Sequence, residues 1–208
     1  MFKKYTEFTL LACAALFSLF LVGNAWATDV NKLVAVCADC HGKGGASKES
    51  DVPIIGGYSV EFLVNNLKAY QTKDRDCPET KFRSGSKKGQ KTSMCKMVKN
   101  LNDGDIDKVA QYFSKQKFVR AKQKFDAALA EKGKEIHDIY CEKCHSEGGT
   151  VAEDEAGLPA GQWMPYLRQA IDEFNTGKRP TPKKMKRRMD ELKPADFEAL
   201  IHYYASFN

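Results

Sequence analysis

Two short stretches constrain this chain more than any other: Cys37-Ala38-Asp39-Cys40-His41 and Cys141-Glu142-Lys143-Cys144-His145, two copies of Cys-x-x-Cys-His. Two thiols three residues apart can add to the two vinyl groups of one porphyrin, and the histidine that follows turns beneath the ring to reach the iron. Each copy therefore reads as a c-type haem attachment site. Cys37, Cys40, Cys141 and Cys144 are the expected covalent anchors, His41 and His145 the expected iron ligands, and two covalently bound haem c the expected cofactors. A bare Cys-x-x-Cys also occurs as half a zinc site or as a thioredoxin-like redox pair. Zinc asks for four converging N or S ligands and the redox pair for a βαβ pattern, and neither context surrounds these motifs.

The chain begins Met1-Phe2-Lys3-Lys4, runs apolar from Phe8 to Val22 and reaches Ala25-Trp26-Ala27. A basic start, an apolar run too short for a comfortable membrane span and a small-x-small end predict a secretory signal peptide over residues 1–27. The expected location is the periplasm, with no membrane span after cleavage. Of seven cysteines, Cys13 lies in the signal and four lie in the haem motifs, which leaves Cys77 and Cys95. Two spare cysteines in an oxidising compartment predict a disulfide.

The formal charge is +6, of which Lys3, Lys4 and Glu7 account for one unit, and four haem propionates would bring the remainder near neutral. Such a balance makes no case for nucleic acid, and no aromatics interleave with the lysines as in a single-strand binder. No nucleophile with a base, paired carboxylates or phosphate loop stands out. The expected role is electron transfer, without bond chemistry by the protein itself.

A shift of 104 residues carries His41 onto His145, Gly57 onto Gly161, Phe62 onto Tyr166, Leu63 onto Leu167, Leu67 onto Ile171 and Tyr70 onto Phe174. Further on the shift falls to 91, carrying Met94 onto Met185, Leu101 onto Leu192, Asp105 onto Asp196 and Tyr112 onto Tyr203. The chain is thus a duplication with 13 extra residues in its first half, bracketed by Cys77 and Cys95. Apolar residues at i, i+3, i+4 and i+7 predict core-facing helices through Val60, Leu63, Val64 and Leu67, through Ile106, Val109, Ala110 and Phe113, and through Phe197, Leu200, Ile201 and Tyr204. Asn102 suits an N-cap and Pro194 a first helical turn. Without any alternating β-branched run, the expected class is all-α. Two domains follow, residues 28–124 and 125–208, each so small that a haem must supply part of its core.

An electron-transfer haem needs a second axial ligand, commonly Met or His. Met94 and Met185 recur at congruent positions, each seven residues before a leucine, and are the expected ligands of the first and second iron. Their neighbours Met97 and Met189 fall opposite Arg188 and Val98 and do not recur. His137 and His202 align with Leu33 and Gln111 and read as helix-surface or interface residues. Cys95 as a thiolate ligand is the alternative to its pairing with Cys77. Cations crowd both methionines: Lys183, Lys184, Lys186, Arg187 and Arg188 near Met185, and Arg83, Lys87, Lys88, Lys91, Lys96 and Lys99 near Met94. A positive field at a haem edge would steer an acidic soluble redox partner.

These residues together resemble the dihaem class I cytochromes of the cytochrome c4 type over the whole length that follows the signal. The stretch from Ala121 to Phe174, with His137-Asp138-Ile139-Tyr140 before its haem motif and Ala160-Gly161-Gln162-Trp163-Met164-Pro165-Tyr166-Leu167 after it, is similar to the cytochrome subunit of flavocytochrome c sulfide dehydrogenase. The resemblance implies two tandem class I cytochrome c domains related by a pseudo-twofold axis, with haem propionates near the interdomain contact. It also implies a proline carbonyl holding each proximal histidine: Pro53 is placed for this in the first half, whereas Pro159 does not align in the second. The function implied is a periplasmic electron-transfer subunit that accepts electrons from an FAD flavoprotein oxidising sulfide. The alternative is a free-standing shuttle of the cytochrome c4 kind feeding a terminal oxidase or reductase. A third reading, chemistry on a sulfur compound at one haem, would need an open or thiolate-ligated iron.

Overall fold

The computed structural model describes residues 29–208, so the expected signal peptide lies outside the described residues. Both halves use the same succession of helices. In the first, α1 spans Val30–His41, α2 Val60–Thr72, α3 Met94–Val98 and α4 Asp103–Ser114. In the second, α5 spans Ala127–Tyr140, α6 Met164–Asn175, α7 Lys183–Met189 and α8 Pro194–Ala205.

Local chemistry explains where several of these helices begin. Asp29, Ser59, Asn102 and Asp126 each accept a hydrogen bond from a backbone N–H of the first turn, and a cap of this kind contributes about 1 kcal/mol. At α4 the arrangement is reciprocal: Asn102 Oδ1 accepts from the Asp105 amide at 2.9 Å, and Asp105 Oδ2 accepts from the Asn102 amide at 3.4 Å. Pro194 occupies the first turn of α8, where its missing N–H leaves no partner wanting.

The expected core face of α4 is buried, and so is that of α8 apart from Phe197, which is partly buried against the cluster. Ile106, Val109, Ala110 and Phe113 pack with Val34, Tyr58 and Leu63 or lie fully enclosed beside them, while Leu200, Ile201 and Tyr204 pack with Ile136 and Leu167. On α2 the face is shorter than its periodicity implies. Leu63 is buried, but Val60 is 38% exposed because it is the first residue of the helix and stands at its end rather than over the core. The duplication is visible in the backbone: the Gly57 amide donates to the Phe113 carbonyl at 2.9 Å and the Gly161 amide to the Tyr204 carbonyl at 2.7 Å. Both glycines hold φ near +80°, at 82° and 79°, a conformation that other residues adopt only with strain.

The 13 additional residues fold into something the sequence pattern did not announce, a small hairpin in which β1 (Thr80–Lys81) pairs antiparallel with β2 (Lys91–Thr92). Strands of two residues are too short to carry an alternating signal. At the base of the hairpin Cys77 and Cys95 form a disulfide with a Cα–Cα distance of 5.8 Å and a sequence separation of 18. Closing a loop of that size contributes about 3 kcal/mol by the chain-entropy argument. Urea denaturation of a Cys77→Ser, Cys95→Ser variant should therefore show a loss of about that size, and an unchanged midpoint would mean that the bridge adds no stability.

Candidate haem sites

The first motif forms the last turn and a half of α1. Cys37 Sγ lies 3.3 Å from the Leu33 carbonyl and Cys40 Sγ 3.9 Å from the Lys81 carbonyl. His41 is buried, with Nδ1 at 2.9 Å from the carbonyl oxygen of Pro53. A carbonyl only accepts, so Nδ1 carries the proton and Nε2 keeps a free lone pair. Burial pushes the ring below the ordinary imidazole pKa, with the Pro53 carbonyl opposing it. A cavity of about 450 Å³ opens beside it, lined by both cysteines, His41, Met94 and Met97 together with Leu33, Leu67, Val98, Val109 and Phe113.

The second motif follows α5 as a turn, with the amides of Cys144 and His145 both donating to the Cys141 carbonyl at 3.0 Å. Its cavity, about 730 Å³, is lined by Cys141, Cys144, His145, Met185 and Met189 with Leu167, Ile171, Leu192 and Leu200. Burial, reinforced by the field of His137, pushes His145 down to about 4. Its Nδ1 is buried without a hydrogen-bond partner, and the Gly157 carbonyl is turned toward it without reaching bonding geometry. Gly157 lies 104 residues after Pro53, at the equivalent position, but no hydrogen bond there matches the one His41 makes to Pro53.

Burial raises the thiols of Cys37 and Cys141 to about 11. A redox pair or nucleophile needs the opposite shift. None of the four motif cysteines is in a disulfide, and among the described residues no three His, Cys, Asp or Glu side chains converge as a metal-ion site. The zinc and thioredoxin readings therefore find no support in the geometry.

Both expected methionines border the cavity of their own half, and so do their neighbours. Met97 Sδ accepts from Thr92 Oγ1 at 3.4 Å, which leaves Met94 as the sulfur without a hydrogen bond. Of the two readings of His137, helix-surface or interface, the surface one is excluded. It is 0% exposed, its Nδ1 lies 3.0 Å from Tyr204 Oη and its Nε2 2.8 Å from Glu142 Oε2, and it ties α5 to α8 and to the haem motif. His202 Nδ1 accepts from the Asp126 amide at 2.8 Å, tying α8 to the start of α5.

The sequence reading also overlooked a charged cluster between the halves. Arg75, 4% exposed, donates to Glu173 Oε2 from Nε at 3.1 Å and from Nη2 at 2.9 Å. Arg179, 7% exposed, donates to Asn66 Oδ1 at 3.0 Å and has no carboxylate partner among the described residues. The 104-residue shift relates the two arginines and also the rings on which they stack, Tyr70 at 4.6 Å and Phe174 at 4.4 Å. Arg75 lines the first cavity, Arg179 the second, and Tyr58, Phe62 and Tyr166 line both. Two buried cations against one carboxylate leave an uncompensated positive charge at the junction, which is costly unless an anion meets it. A cofactor bearing carboxylates, with apolar faces and an iron for imidazole and thioether, fits these surroundings.

No family model matches the sequence. The chain is 30% identical over 183 residues to cytochrome c4 of Stutzerimonas stutzeri, covering 82% of this chain and 83% of that one. It is also 30% identical over 155 residues to cytochrome c4 of Pseudomonas aeruginosa, covering 70% and 69%. Among solved structures, reduced recombinant cytochrome c4 from Pseudomonas stutzeri superposes with a TM-score of 0.66 at 25% identity, over 85% of this chain and 97% of that one.

Proposed function

The chain belongs to the cytochrome c4 family and is a dihaem electron-transfer protein with two covalent haem c groups; on that premise we propose that it is a free-standing periplasmic carrier feeding a terminal oxidase or reductase. One observation carries the reading: two cavities, each lined by the cysteines and histidine of a Cys-x-x-Cys-His motif and by a methionine, adjoin at Tyr58, Phe62 and Tyr166. Cys37 and Cys40 would anchor the first haem, with His41 and Met94 on its iron. Cys141 and Cys144 would anchor the second, with His145 and Met185. The iron supplies a reversible one-electron change. The chain's own residues exclude water with their apolar walls, fix the His41 tautomer through Pro53 and set a positive charge at the junction through Arg75 and Arg179. This reading keeps the domain boundary at residues 124 and 125, in the segment between α4 and α5; earlier in that segment Phe118 meets Tyr58 of the first half at 6.0 Å and the Ala121 amide donates to the Gly161 carbonyl of the second at 2.7 Å.

The subunit reading, in which an FAD flavoprotein oxidising sulfide supplies the electrons, rests on the stretch from Ala121 to Phe174. Much of that stretch is engaged inside the molecule. Gln123 bonds the Gln162 carbonyl at 2.7 Å and the Met164 amide at 2.9 Å, Gln162 bonds Ile54 through both ends of its amide, and Trp163 Nε1 reaches the Ser47 carbonyl at 3.1 Å. The contact between halves, which carrier and subunit would share, accounts for the similarity. The absorbance spectrum of the natively purified protein separates the two. Haem bands without flavin are expected, and one flavin for every two haems would overturn the carrier reading.

The iron ligands have their own test. The oxidised protein should show the weak near-red charge-transfer band of iron bound to thioether sulfur, and Met94→Ala and Met185→Ala should each remove about half of it. Loss of the band in Met97→Ala or Met189→Ala instead would reassign the ligand.

A further inference from the structure

The hairpin of the first half has no counterpart in the second, and its charge is lopsided. From Cys77 to Lys99 the chain carries seven Lys and Arg and one acidic residue, Glu79. The halves differ in the same sense: residues 29–124 hold nineteen Lys and Arg against eleven Asp and Glu, whereas residues 125–208 hold twelve against fifteen. Its backbone is fastened to the first haem motif, since the amides of Arg83 and Ser84 both donate to the Asp39 carbonyl, at 3.0 and 2.9 Å. Pro78, Glu79 and Thr80 form part of the cavity wall. One side of the hairpin thus closes the first haem cavity while Lys81, Lys87 and Lys88 stand exposed on it. Arg83 is paired with Asp51 and Lys91 with Glu79, but Lys81, Lys87 and Lys88 have no ion-pair partner among the described residues.

A wall needs no charge. Cations gathered within the screening length of about 8 Å repel one another and cost stability, so a cover that only excluded water would do better with neutral side chains. We propose that this hairpin is the docking face for an acidic protein partner, which would exchange electrons with a haem held in the first cavity. The inference rests on the carrier reading and names the face that carrier uses. The cations of α7 serve this purpose less well. Lys186 and Arg188 are already paired with Asp190 and Glu191, at 2.7 and 3.4 Å, in a half that is acidic overall.

The test compares the intact dihaem protein with a hairpin variant, Lys81→Gln, Lys87→Gln, Lys88→Gln, and an α7 variant, Lys183→Gln, Lys184→Gln, Arg187→Gln. Binding of polyglutamate at low salt and stopped-flow oxidation by the hexacyanoferrate(III) anion are both measured. The hairpin variant should bind polyglutamate about tenfold more weakly, as three exposed charge contacts of fractions of a kcal/mol would require, and its oxidation rate should lose most of its salt dependence. The α7 variant should stay within about twofold of the parent. A loss confined to the α7 variant, equal in both variants or absent from both overturns the hairpin assignment while the carrier reading stands, because the unmodified protein would still be oxidised reversibly. Failure of the unmodified protein to exchange electrons at all would sink the carrier reading first. If the hairpin substitutions abolish co-sedimentation with phosphatidylglycerol vesicles and leave polyglutamate binding unchanged, the face reads a membrane surface and the proposal is wrong.

Discussion

Replacing Cys141 and Cys144 together by serine should remove one of the two haem masses from the denatured, exported chain and unfold the second half under conditions where the first half remains folded. The size of the effect follows from the cavity. Leu167, Leu200 and Tyr204 belong to one buried cluster, and the space they border amounts to about 730 Å³. Leaving a volume of that order unfilled costs on the order of 10 kcal/mol even after water entry and partial collapse relieve part of it, against a total of about 5–15 kcal/mol for an ordinary domain. The unsubstituted chain should show two haem masses that survive acid-acetone extraction. A serine variant that retains both masses, or that loses one and keeps the helical signal and melting behaviour of the parent, would contradict the assignment of the motif and the structural role given to its cofactor.

Arg75→Ala should destabilise the protein by about 3–5 kcal/mol, the usual consequence of stranding one member of a buried ion pair. Arg75 and Glu173 are each 4% exposed. Removal of the guanidinium leaves the Glu173 carboxylate with Gln169, at 2.8 Å, as its remaining side-chain hydrogen-bond partner among the described residues, and strips Asn66 of one of its two donors. Because the pair joins α6 to the segment after α2, the loss should also split a single denaturation transition into two. The paired substitution Arg75→Met with Glu173→Leu should recover most of the stability, since two well-packed apolar side chains can replace a buried ion pair at little cost. Guanidinium denaturation of the dihaem protein, followed by haem absorbance and by far-ultraviolet circular dichroism, reads both outcomes. A loss below about 1 kcal/mol in Arg75→Ala would place the pair in the class of exposed bridges, screened by water.

What could be read from the sequence was local or repeated. The haem motifs lie within five residues, the α4 and α8 faces follow a 3.6-residue period, and the Asn102 cap acts across three residues, so each is complete in a short window of chain. Duplication extended that reach by nominating Met94 and Met185 as equivalents and by showing that the Cys77 to Cys95 segment is extra. Burial and the direction of backbone groups were decided elsewhere. Residue type cannot say that His137 faces Tyr204 across 67 residues, that Arg75 meets Glu173 across 98, or that Gln162 closes on Ile54 across 108. Nor can it say that the Pro53 carbonyl meets His41. These contacts require two distant segments to arrive at one place together. An arginine that would be an ordinary solvated charge in a short window becomes a buried, half-compensated cation only once the two halves have packed and removed the water around it.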